Sequence, residues 1–96
     1  MLTFDLHLDL AMNALWYDRD LRLSLEDSRR AEAGIEGKFR GKGTVTLPEM
    51  RRGHVGLCVA TVLARVRRGE GFGAGYRTHE IAYGIAQGML AYYRQL

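Results

Sequence analysis

Asp5-Leu6-His7-Leu8-Asp9 places two carboxylates and an imidazole at alternate positions near the start of the chain. On a β-strand, residues two apart share a face. Asp5, His7 and Asp9 are then expected on one side, with Phe4, Leu6, Leu8 and Leu10 on the other. Three polar side chains on a buried strand face are costly unless something neutralises them. A divalent metal does so. Neutral imidazole and carboxylate are ordinary zinc ligands, and His-x-Asp lets two of them reach one ion from a single strand. The triplet alone fits equally well a core histidine held by a hydrogen bond, with Asp9 opening a turn.

The remaining reactive side chains carry weaker signals. His54 precedes an apolar run and His79 lies near a helix start; both read as surface or packing residues. Cys58 sits inside the apolar run with no basic neighbour to activate it, so it reads as buried and inert. Gly37-Lys38-Phe39-Arg40-Gly41-Lys42-Gly43 is not a phosphate loop. Its glycines are one residue too close, and Lys42 is followed by glycine instead of Ser or Thr. Gly69-x-Gly71-x-Gly73 fails the dinucleotide fingerprint because Ala74 stands where a glycine is required. Trp16 and Tyr17 suit either a substrate mouth or packing over a rim.

The elements that would position the triplet can be read in order. Thr3 to Leu10 is a strand, followed by a polar, aromatic-containing loop over Asn13–Asp20. Ser24 caps a short helix with Glu26 and Asp27 in its first turn, Arg29 and Arg30 further along and Gly34 at its end. Residues 34–43 form a glycine-rich loop. Leu47 to Gly53 is one or two helical turns, with Pro48 at the start and Gly53 at the terminus. Val55 to Leu63 is nearly all apolar and rich in β-branched residues, the pattern of a parallel strand buried on both faces. Gly69 to Gly75 is a second loop. Thr78 caps a last helix with Glu80 in its first turn and an apolar stripe of Ile81, Ile85, Met89 and Tyr92. Gly84 and Gly88 beside that stripe are expected to let the helix approach a sheet closely. The order of strands and helices predicts an α/β fold. Two parallel strands cannot cover both their faces, so residues 1–96 are expected to be one partial domain of a larger α/β protein.

Hydrophobic residues make up 47% of the 96 and charged residues 26%, a globular composition that argues against disorder. No apolar run approaches the roughly 18 residues of a membrane span. Acidic residues stand where a signal peptide needs Lys or Arg, which makes a cytoplasmic location the expectation. A single cysteine excludes an internal disulfide. Net charge is +3; residues 1–48 carry 7 basic and 8 acidic side chains, residues 49–96 carry 7 and 3. That asymmetry is mild and suits a solvated surface.

Two segments resemble a known family. Phe4-Asp5-Leu6-His7-Leu8-Asp9-Leu10 is similar to the N-terminal metal motif of the membrane dipeptidase (renal dipeptidase) family of metal-dependent hydrolases. Leu47-Pro48-Glu49-Met50-Arg51-Arg52-Gly53-His54-Val55-Gly56 resembles the family's entry to its second barrel strand. The helix from Thr78 to Leu96 falls where the family has its next helix. The resemblance implies the first β/α units of a (β/α)8 barrel carrying two zinc ions and cleaving dipeptides. It makes His7 and Asp9 ligands of one ion and leaves Asp5 open, as a partner that orients His7. The bridging glutamate and further histidines of the family come from later strands, so the 96 residues alone are expected to be inactive. Catalytic residues other than these ligands are not assigned. The basic loop (Lys38, Arg40, Lys42) and Val62-Leu63-Ala64-Arg65 depart from the family and bear on substrate preference more than on metal chemistry.

Two other readings come from different classes. A small nucleic-acid-binding domain would use the basic clusters at 38–42, 51–52 and 65–68 and a calculated pI near 9.4. Against it, aromatic residues do not alternate with the basic ones to form a stacking platform. An oligomerising module would pair Val55–Leu63 between subunits, and a homodimer is compatible with the enzyme reading too. The expected partner is a dipeptide, with no nucleic acid and no membrane span.

Overall fold

The structure is a computed structural model that describes residues 1–67 and 75–96. The chain divides into two compact units, Met1–Thr61 and Val62–Leu96. The glycine-rich segment Gly69–Ala74 and Arg68 of the last basic cluster lie outside the described residues. The fold is mixed α/β, with two parallel strands and four helices among the described residues.

In the first unit, β1 (Thr3–Leu8) pairs in parallel with β2 (Val55–Ala60). Both C-terminal ends therefore lie along the same edge of the sheet. Between them run α1 (Leu10–Tyr17), α2 (Leu25–Ala31) and α3 (Leu47–Arg52). Leu10, Ala11, Ala14 and Leu21 form the buried apolar centre of this unit.

Helix α1 replaces the irregular segment expected after the first strand. Leu10-Ala11-Met12 and Ala14-Leu15 are strong helix formers. Asn13 reinforces the first turn, its Nδ2 donating to the Asp9 carbonyl at 2.9 Å. The helix ends at Asp18, which takes the left-handed conformation (φ 53°). Ser24 caps α2 as expected: its Oγ accepts from the Asp27 N–H at 3.1 Å and donates to the Asp27 carboxylate at 2.9 Å. Pro48 opens α3 and Gly53 closes it. The left-handed residue after α3 is His54 (φ 55°), not a glycine. Its carbonyl accepts the Thr3 N–H at 2.9 Å and starts the strand pairing.

The strands depart from simple alternation. Register shifts fall between Thr3 and Phe4 and between Asp5 and Leu8. From Asp5↔Cys58 to Leu8↔Ala60, β1 advances by one residue more than β2. The extra residue re-aims the side chains of β1. Phe4, Leu6 and His7 are exposed, and on β2 so are Leu57 and Val59. The apolar Val55–Leu63 run thus forms a strand over Val55–Ala60 but is not buried on both faces, since Leu57 and Val59 are exposed, and β1 is its single strand neighbour among the described residues.

In the second unit, Val66 and Tyr76 form an isolated parallel bridge ahead of α4 (His79–Gln95). Thr78 caps α4, accepting from the Ile81 N–H at 3.2 Å. The buried side of α4 centres on Ala82 and Met89, with Ile85 and Tyr92 half-buried, whereas Ile81 is 47% exposed. The expected stripe is therefore rotated by one residue at its start. The Leu63 N–H points at Met89 Sδ, 3.2 Å away. Within this unit a Cβ added at Gly84 or Gly88 would meet nothing. The expected close approach at these glycines is not found there. No helix of the described residues is long and apolar enough to cross a membrane.

Candidate metal-binding pair at the strand ends

Asp9 occupies the N-cap of α1, a position where aspartate ordinarily accepts from an orphan helix N–H. It makes no such bond. Its carboxylate turns instead toward β1 and the end of β2. Oδ1 lies 3.2 Å from His7 Nε2 and accepts a hydrogen bond from Thr61 Oγ1. Thr61 is held in turn by β1, its N–H donating to the Leu8 carbonyl at 3.0 Å. The Asp9 carbonyl accepts the Asn13 N–H at 3.0 Å, which fixes the backbone below the carboxylate.

The structure therefore brings His7 and Asp9 together and places Asp5 differently. Asp5 Oδ1 accepts the main-chain N–H of His7 at 2.8 Å. It steadies the strand irregularity and not the imidazole. Nor are the three polar groups buried: the His7 side chain is 74% exposed and that of Asp9 31%. The desolvation cost expected from the sequence is not incurred among the described residues.

The donor chemistry of the pair suits zinc. Two donors bound to one tetrahedral zinc stand about 3.4 Å apart, close to the observed separation. Among the described residues no group of three or more His, Cys, Asp or Glu comes together that could hold a metal. His7 and Asp9 would thus be a partial ligand set. His54 and His79 are exposed and Cys58 is half-buried with a free thiol.

Thr61 was not legible as part of this site. It lies inside the apolar run, directly after β2 and 52 residues from Asp9, and only the parallel pairing brings the two strand ends together. Tyr17 packs the 34–43 loop: the Arg19 and Arg40 guanidinium groups lie 4.5 and 5.4 Å from its ring centre, and Phe39 meets it edge-on. A cavity of about 250 Å³ beside Tyr17 is lined by Asp18, Asp20 and Arg40 among others. The Trp16 indole N–H is buried with no hydrogen-bond partner among the described residues.

Comparison with family models, curated proteins and solved structures found no match to this chain.

Proposed function

We propose that this chain forms the first β/α units of a (β/α)8-barrel hydrolase that cleaves dipeptides, in the manner of the membrane dipeptidases it resembles. His7 and Asp9 would hold one zinc ion of a two-ion site. The observation that carries the reading is Asp9: an N-cap aspartate whose carboxylate makes no capping bond to its helix and stands beside an imidazole. The location supports it as well. His7 lies in the last two residues of a parallel strand and Asp9 directly after it, at the end where barrel enzymes carry their chemistry.

When bound, such ions polarise the scissile carbonyl and lower the pKa of water. The chain's own residues hold and orient: the imidazole and carboxylate supply donors, Asn13 fixes the Asp9 backbone and Thr61 its side chain. No residue here is assigned as general base. With two donors in place, the 96 residues alone should not turn over dipeptides.

Dipeptide hydrolysis by a zinc-loaded protein carrying this segment tests the reading. His7→Ala should lower the rate by at least about 10³-fold, since an ion that places charge on the reacting carbonyl is then lost. Undiminished hydrolysis in that variant would overturn it. The nucleic-acid alternative gains little from the 38–42 cluster. Lys38 lies 5.3 Å from the Phe39 ring centre, and Arg40 bonds the Tyr17 carbonyl.

A further inference from the structure

We infer that Thr61 is a positioning residue for the metal pair, setting the Asp9 carboxylate from the end of β2. The inference rests on the metal-binding reading of His7 and Asp9. Three observations lead to it. The Thr61 hydroxyl donates to Asp9 Oδ1, the oxygen nearest His7 Nε2. The same hydroxyl lies 3.4 Å from the Leu8 carbonyl, and the Thr61 N–H bonds that carbonyl at 3.0 Å. Asp9 makes no capping bond that could fix its side chain otherwise.

The hydroxyl does two things for a ligand carboxylate. It holds one rotamer, so less side-chain freedom is lost when an ion arrives. It also occupies one lone pair of Oδ1, which favours the metal on the remaining lone pairs of the carboxylate. Outer hydrogen bonds of this kind orient ligands and tune affinity. The His7 imidazole, largely in solvent, has Asp9 as its side-chain contact. The order of the whole pair therefore passes through Thr61.

Zinc titration of the 96-residue chain, followed by NMR at the His7 imidazole, tests this. His54 and His79 report nonspecific binding. Thr61→Val keeps the shape of the side chain and removes the hydroxyl; it should weaken zinc binding at His7 about tenfold. Thr61→Ser restores the hydroxyl and should stay within about twofold of wild type, a rescue that loss of packing alone would not give. Wild-type affinity in Thr61→Val, or tenfold loss in Thr61→Ser as well, would overturn the role of Thr61 and leave the metal reading standing. No zinc response at His7 in the wild type would overturn both. Amide spectra of each variant show whether the fold survives; a well-folded Thr61→Ser keeps the test decisive.

Discussion

Arg19 Nε stands 2.5 Å from Glu32 Oε1, and both side chains are 94% removed from solvent. The pair joins the turn after α1 to the end of α2, and the rest of the loop is gathered onto it. Arg19 also donates to Asn13 Oδ1 at 2.6 Å and to the Phe39 carbonyl at 2.7 Å. Glu32 Oε2 accepts the Gly41 N–H at 2.5 Å, and Gly41 takes a left-handed φ of 66° that suits a residue without Cβ. Asn13 belongs to both networks, since its amide nitrogen bonds the Asp9 carbonyl beneath the candidate metal pair. The loop lock and the site thus share one residue.

Removing one charge of this pair strands the other in the interior. Glu32→Gln should destabilise the chain by about 3 kcal/mol, read as a lowered urea midpoint with an unchanged slope. An unaltered midpoint would show that the pair contributes nothing net.

The same carboxylate makes stability depend on pH. The Arg19 hydrogen bond holds the Glu32 carboxyl below its ordinary value; burial opposes this, and the Gly41 N–H and the charges of Arg19 and Arg40 assist. A carboxyl lowered in the folded state binds fewer protons there than in the unfolded chain. Its stabilisation is fully present above the unfolded value, about 4.3, and is lost as pH falls through the folded value. Urea midpoints of wild type and Glu32→Gln should therefore converge between pH 7 and pH 3. A gap that stays constant across that range would contradict the assignment.

His54 holds a left-handed backbone with an exposed side chain, and its bonds to Arg51 and Thr3 are main-chain bonds. Glycine adopts this conformation without the Cβ clash. His54→Gly should raise stability by about 0.5–1 kcal/mol, after the greater freedom of glycine in the unfolded chain is counted. A lower melting temperature in that variant would refute this.

Thr46 is fully buried, and its hydroxyl has no hydrogen-bond partner among the described residues although the residue sits at the N-cap of α3. Its backbone is extended, which suits a β-branched side chain. Thr46→Val should stabilise by about 1 kcal/mol, because the desolvated hydroxyl is replaced by a methyl of similar shape. Thermal unfolding that shifts downward would mean that the hydroxyl is bonded in solution.

Local chemistry was readable where a single residue decides it. Ser24 and Thr78 cap their helices, Pro48 and Gly53 bracket α3, and the Val55 run supplies a parallel strand. The polar and aromatic residues of Asn13–Asp20 concealed α1, whose helical backbone is favoured by the flanking Leu and Ala residues and by the Asn13 bond to Asp9. The Ile81 stripe was misplaced because periodicity fixes spacing along a helix but not its rotation against neighbours.

The sequence by itself determined that His7 and Asp9 lie close, since residues two apart in a chain cannot be far apart whatever the backbone does. Only the tertiary structure decided which groups hold them. The strand irregularity gives Asp5 to the His7 main chain, and the parallel pairing of β1 with β2 brings Thr61 to Asp9. Side-chain aim and contacts between distant segments depend on register and pairing, which are set by packing across the whole unit and not by spacing along the chain.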